Sequence, residues 1–360
     1  MKRIFAILAA MALGAALYAQ APKFVYTEAT DLNLIGKLCP DTPNPYHRVD
    51  TVRFKGFTKS ENQQMRCPAG MAVVFKTNSK NISILPEYGQ TYRPLNATDF
   101  AYVGFDLYIK KDGKWVWAGC KCNSEKDQKK PFNIVSNMDG SMHECLLYLP
   151  VYSELYSVKI GVEPGAVLEK IDNPFKCRIG IFGSSFTQGV SCSRSGMSYP
   201  LQLERMTGYQ MLSIAASGNC KMQPYFADVI NAYEFDAFIF DSFSNPDAKM
   251  IEERLEPFIR KIRSVHPTEP LIFQQTIYRE NRNFDQKIAA REQAKQEMAA
   301  KLMAQMCKKY QNVYFIQTNA CDSKHEATVD GTHPDDYGYR LWAESISKPV
   351  VKILKKHGIK

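Results

Sequence analysis

"CRIGIFGSSFTQG", residues 177–189, is the stretch on which the fold turns. Its first seven residues are an apolar run broken only by Arg178 and glycine, too short for a helix, and they lead straight into a tight polar turn. The rhythm recurs downstream. "YQMLSIAA" (209–216), "DAFIFDS" (236–242), "PLIFQQT" (270–276) and "NVYFIQT" (312–318) are further short apolar runs. Helix-like segments lie between them at Tyr199–Thr207, Pro224–Tyr233, Ala248–Ser264 and Asp285–Lys309, and a last one covers 338–356. Buried strands alternating with helices predict an α/β unit over 173–360, with a five-stranded parallel sheet covered on both faces.

Upstream the pattern is different. "MAVVFKTN", "AYVGFDLYIK", "KWVWAG", "ECLLYLP" and "YSVKIGV" are short β-branched and aromatic runs separated by turns such as Lys111-Asp112-Gly113. They predict a β-sandwich over 20–172, with Glu169–Pro174 as a short linker. Residues 1–19 read as a cleavable signal peptide: Lys2 and Arg3, an apolar run from Ile4 to Leu17, then a small residue at Ala19. The expected product is periplasmic or secreted and has no membrane span in its mature form. Lysine and arginine total 46 against 37 acids; loss of Lys2 and Arg3 leaves 44 against 37, or +7. That excess is scattered over helix-like segments. It lacks the clustered stripe with stacking aromatics that nucleic-acid binding needs. All ten cysteines follow the leader, which predicts some disulfide pairing in an oxidising compartment.

In open parallel sheets, ligands bind beyond the C-terminal strand ends, so the chemistry is sought there. Ser185 follows the first strand, and Gly218 follows the second in "AASGNCKM". Asn245 follows the third in "FDSFSNP". The fourth leads to the polar, aromatic "TIYRENRNF", where Tyr278 is a candidate pocket residue. The fifth is followed by "VDGTHPDDYGYRLW" (329–342), with Asp330 three residues before His333. Taken singly, these are a serine cap, a turn glycine, an Asn-Pro turn and a polar loop. Taken together, they are a serine nucleophile, a histidine base, an acid to orient it and donors for an oxyanion, all predicted at one rim. Asp335 and Asp336 read as acids at the start of the last helix.

The ordered set Ser185, Gly218, Asn245, His333 resembles the SGNH (GDSL-type) hydrolases, a family of esterases and acylhydrolases. The resemblance implies a flavodoxin-like three-layer fold and no cofactor. It implies Ser185 as nucleophile, His333 as base and Asp330 as its orienter. The oxyanion hole would be formed by the N–H groups of Ser185 and Gly218 with the Asn245 side chain. Gly104-Phe105-Asp106-Leu107-Tyr108 is similar to the GxDLY motif of a β-domain that precedes a bacterial subgroup of these enzymes. Two blocks depart from the family pattern. Ser184 stands where an acid usually precedes the nucleophile, and the Asn245 block lacks its glycine and following acid.

Asp106 is either a pocket residue or a satisfied structural acid. Cys192 and Cys220, seven and two residues beyond Ser185 and Gly218, are expected to bridge the rim. The resulting expectation is an exported serine esterase acting on acyl esters, acetyl foremost, of a small-molecule or glycan substrate. Its rivals are a non-catalytic glycan-binding protein and a metal-dependent hydrolase built on Asp330, His333, Asp335 and Asp336. The second has one histidine and no recognisable ligand spacing, so no metal is expected.

Overall fold

The computed structural model describes residues 24–123 and 127–360. The leader expectation for residues 1–19 lies outside them. In the N-terminal part, two antiparallel sheets face each other. One has four strands in the order Val25–Glu28, Ser153–Val162, Ile82–Thr91, Phe132–Val135. The other has six. Its main path runs Leu168–Lys170, Ala72–Thr77, His143–Tyr148, Phe105–Lys111, Lys114–Lys121, and Asn33–Ile35 pairs with Ala72–Thr77 beside that path.

Side chains alternate across a strand, and this decides where each goes. Val73, Phe75, Phe105 and Leu147 enter the core between the sheets with Ile84 and Ile160. Ala72, Val74, Leu146 and Tyr148 point the other way and pack on Phe175 and Leu201 of the C-terminal part. The six-stranded sheet is therefore buried on both faces, which is why "MAVVF" reads as a continuous apolar run rather than an alternating one.

The C-terminal part is a five-stranded parallel sheet: β1 Lys176–Gly183, β2 Tyr209–Ala215, β3 Ala237–Phe240, β4 Leu271–Gln274 and β5 Val313–Ile316. Their spatial order is β2-β1-β3-β4-β5, the flavodoxin-like order, with its switch point between β1 and β3. Phe182, Leu212, Phe240 and Phe273 pack on one face with helices Pro224–Asn231, Ala248–Arg263 and Gln286–Lys309. Ile181, Met211, Ile239 and Ile272 pack on the other, against helices Tyr199–Thr207 and Asp336–Lys356. The last helix is capped by Asp335, whose carboxylate accepts from the Gly338 N–H. It buries Tyr339, Trp342, Ile346, Val350 and Leu354 at helical spacing. The Trp342 ring stacks on Tyr199 at 4.2 Å, and its Nε1 donates to Gln274 at 2.7 Å. Burying an indole stabilises by roughly 4–6 kcal/mol before the entropy cost of ordering.

The two parts are joined by a buried cation. Arg48 donates to the carbonyls of Gln64 and Cys67 at 2.7 Å, and across the interface to Ala215 O at 3.0 Å and Ser213 Oγ at 3.2 Å. Burial lowers its pKa to about 10, so it stays charged at neutral pH. The GxDLY-like stretch lies at the same interface. Asp106 is fully buried, accepts from Gly196 N at 3.0 Å and Trp117 Nε1 at 3.1 Å, and pairs with Arg194 at 3.2 Å. Burial pushes its carboxyl up to about 6, against the pull of Arg194. Of the two readings left open for Asp106, these contacts are those of a satisfied acid that grips the segment after Ser185.

Candidate active site

The switch point places the ends of β1 and β3 side by side, and both carry polar residues. Gly183 closes β1 because a Cβ there would stand 1.8 Å from Thr187 Oγ1. Ser184 then caps a four-residue helix, Ser185–Gln188, by accepting from Phe186 N. Ser185 is its first residue, so the helix itself offers no acceptor to its N–H.

Beneath this turn lies Asp241, fully buried. It accepts from Ser184 Oγ at 2.7 Å, Ser184 N at 3.2 Å and Thr187 Oγ1 at 3.1 Å, and from Ser244 Oγ. Burial raises its pKa, and these donors oppose the rise. Asp241 therefore ties the Ser185 turn to the Asn245 turn. It also accounts for the missing acid at 184: a carboxylate there would meet Asp241 at hydrogen-bond distance, like charge on like charge.

Ser185 is 7% exposed, and its Oγ lies 3.0 Å from His333 Nε2. His333 Nδ1 is 2.8 Å from Asp330 Oδ2. A carboxylate can only accept, so Nδ1 carries the proton and Nε2 is free to take one. Asp330 Oδ1 also accepts the backbone N–H groups of Thr332 at 2.9 Å and His333 at 2.7 Å. Burial works against the charge on Asp330, but these donors outweigh it and hold the carboxyl below its ordinary range. The imidazole is wedged by the Phe186 ring at 5.3 Å.

Gly218 has φ +72°, and nothing lies within 4 Å of where a Cβ would stand, so the space before its backbone is open. Its turn is held through Ser217, whose N–H is shared by Gln188 Oε1 and Gln64 Oε1 and whose hydroxyl meets Tyr152 Oη at 2.6 Å. Asn245 accepts from Cys220 N at 3.1 Å through Oδ1, leaving its NH2 without a protein acceptor among the described residues. The Ser185 turn is thus tied to the Gly218 turn through Gln188 and to the Asn245 turn through Asp241. The arrangement can activate a hydroxyl and stabilise negative charge on a carbonyl oxygen.

Other expectations fall elsewhere. Tyr278 donates to Asn283, faces the His325 ring at 5.7 Å and lies under Arg282, with no hydrogen bond to Ser185 or His333 among the described residues. Asp335 and Asp336 do not join His333. Asp335 caps the last helix, and Asp336 accepts from the Ser193 N–H and hydroxyl. The Cys192–Cys220 bridge is not formed, and all ten cysteines carry free thiols. The reason is topological. Cys192 packs with Ile181 and Trp342 on one face of the sheet, and Cys220 packs with Phe226 and Phe240 on the other. Among the described residues, Glu280, Cys321 and His325 bring one donor atom each within 4.8 Å of the others, a set able to take a metal ion; Glu280 already pairs with His325 at 2.7 Å.

Residues 176–352 match the model of the GDSL-like lipase/acylhydrolase family, and residues 24–168 match that of the N-terminal GxDLY region of SGNH-hydrolase-type esterases. A solved structure described as a GDSL-like lipase from Bacteroides ovatus is 38% identical, with a TM-score of 0.88 over 92% of this chain and 98% of that one. The chain belongs to the GDSL-like lipase/acylhydrolase family. This GDSL-family chain is an ester hydrolase, and its fold is the SGNH α/β fold preceded by a β-domain. Two more distant structures share that fold. One is a family two carbohydrate esterase from Cellvibrio japonicus (10% identity, TM-score 0.61, 92% of this chain and 98% of that one). The other is the acetyl xylan esterase Est2A from Butyrivibrio proteoclasticus (12%, 0.53, 93% and 100%). No curated protein matches the chain in sequence.

Sequence reasoning missed what the N-terminal part of this GDSL-family chain brings to the rim. Asn96 Nδ2 donates to Asp330 Oδ2 at 2.8 Å and lies 3.2 Å from His333 Nδ1. Gln64 and Tyr152 brace the Gly218 turn, as given above. Nothing local in "RPLNATDF" singles out Asn96; only the folded interface does. Among the described residues, no helix is long and apolar enough to cross a membrane.

Proposed function

We propose that this ester hydrolase is an exported enzyme that removes acyl groups, acetyl foremost, from carbohydrate, with Ser185 as nucleophile, His333 as base and Asp330 as orienter. The observation that carries the reading is the unbroken chain from Ser185 Oγ to His333 at 3.0 Å and on to Asp330 at 2.8 Å. Support for carbohydrate comes from the shared fold of the carbohydrate esterases, and support for export from residues 1–19.

Ser185 Oγ attacks the ester carbonyl as its proton passes to His333 Nε2. The carbonyl oxygen gains charge facing the N–H groups of Ser185 and Gly218 and the Asn245 amide. Each such donor is worth about 2.7–4 kcal/mol of barrier. Collapse expels the alcohol, which takes the proton from His333, and the acyl group stays on Ser185. Water, deprotonated by His333, then releases the acid and restores the hydroxyl. The test is acetate release from acetylated xylan alongside p-nitrophenyl acetate, with a serine-directed phosphonate as label. Turnover of both and labelling at Ser185 are expected. Release that stops with EDTA and no label on Ser185 would point to metal chemistry and overturn the assignment.

Asn96 acts through Asp330 as a positioning residue. Removing its donor leaves one carboxylate oxygen with fewer partners in a partly buried site. Asn96→Ala should lower kcat about tenfold, the scale of one charge-assisted hydrogen bond, with KM nearly unchanged. Because the lost donor favours ionised Asp330, the acid limb of the pH–rate profile should also move to higher pH. An unchanged profile with only a loss of thermal stability would reduce Asn96 to an interface residue.

A further inference from the structure

We propose that an anion subsite adjoins Asn245 and takes a carboxylate or sulfate carried by the sugar of the ester substrate. This rests on the esterase reading above and names its substrate class. The site is a cavity of about 410 Å³ that Asn245 lines. Its charged lining is four cations, Lys221, Arg279, Arg291 and Lys295, against two carboxylates, Asp247 and Glu292. Asp247 is already engaged as the cap of helix Ala248–Arg263. Glu292, 2% exposed, lies among three cations: Lys295 at 2.5 Å, Arg279 at 3.5 Å and Arg291 at 3.6 Å.

Buried charge is tolerated when it is paired, and the lining of this cavity holds more cations than carboxylates, with Asp241 and Asp330 acting on Arg279 from outside it. Arg279 Nε is buried without a hydrogen-bond partner, as is Glu292 Oε2, 3.5 Å from it. Lys295 is 3% exposed; burial, reinforced by Arg279, brings its pKa down to about 8. An anion entering the cavity would supply the missing charge. Guanidinium forks suit carboxylate and sulfate equally.

The cavity is also tied to the rim. Arg279 and Lys295 both donate to the Ser244 carbonyl, one residue before Asn245. The Arg279 guanidinium lies 5.4 Å from the ring of Phe186, which itself wedges His333. Arg279 and Lys295 therefore have a positioning role as well as charge. Arg291 does not: its side chain is 60% exposed and, among the described residues, pairs with Glu292 alone. Arg291→Gln removes charge from the cavity and leaves the donors to Ser244 in place.

The experiment compares kcat/KM for acetate release from acetylated galacturonate oligomers, an acetylated sulfated sugar and acetylated xylo-oligomers, on the wild type and Arg291→Gln. Binding of galacturonate, inorganic sulfate and galactose is measured by calorimetry, independently of turnover. At least one charged ester should be preferred about tenfold over the neutral one, and Arg291→Gln should cut that ratio several-fold. The two charged esters separate carboxylate from sulfate. Equal rates on charged and neutral esters, a ratio unmoved by Arg291→Gln, or galactose bound as well as both anions overturns the subsite. Anion binding without turnover of any ester would instead overturn the esterase reading and leave the subsite standing.

Discussion

Ser185→Ala should lower kcat on p-nitrophenyl acetate by roughly 10⁵–10⁶-fold, the scale seen when a serine nucleophile is deleted from a working triad. The hydroxyl of Ser185 has one side-chain partner, His333, and alanine suits the first turn of a helix. The structural cost is therefore about 1 kcal/mol or less, and the thermal midpoint should stay near that of the wild type. Labelling by a serine-directed phosphonate should vanish at the same time. A variant that keeps its rate within tenfold, or that is still labelled stoichiometrically, would remove Ser185 from the chemistry.

Asp330→Asn should cost about 10⁴-fold in kcat, because the turn dictates which way the amide sits. Oδ1 of Asp330 accepts the N–H groups of Thr332 and His333, a place only the amide oxygen can fill. The NH2 must then face His333 Nδ1, which becomes an acceptor, and the imidazole proton moves to Nε2. That nitrogen points at Ser185 and can no longer take its proton. The same NH2 meets the Asn96 NH2, donor against donor, where a carboxylate oxygen had stood. Single-turnover kinetics with KM recorded in parallel is the check. A kcat within tenfold of the wild type would mean that His333 works without Asp330.

How much of this was legible in the sequence follows from how local each signal is. The run at 177–183 is met by a strand at Lys176–Gly183, because alternation and bounding turns are properties of the segment itself. Tyr199–Thr207 is a helix over the residues expected. The last helix begins at Asp336 rather than 338, since Asp335 caps it, a side-chain choice that periodicity does not register. Ser185, Gly218, Asn245, Asp330 and His333 stand out because each follows a strand, and a parallel sheet gathers such ends at one rim. The cysteine pairing fails for a complementary reason: closeness to neighbouring strand ends does not reveal on which face of the sheet each loop folds. Asp106 could not be placed because its partners, Arg194 and Gly196, lie in the other half of the chain. The acid missing at 184 becomes intelligible only once Asp241 is seen beneath it.

The contact between Asn96 and Asp330 spans 234 residues of chain. Contacts of that separation form late in folding, because the entropy of closing so long a loop must be met first. The acid beside His333 therefore gains its full set of donors only after both halves have folded and docked. A partly folded chain would hold every reacting group of the C-terminal half yet lack this clamp. Full competence would then trail the appearance of secondary structure, and the enzyme would come of age as a whole rather than half by half.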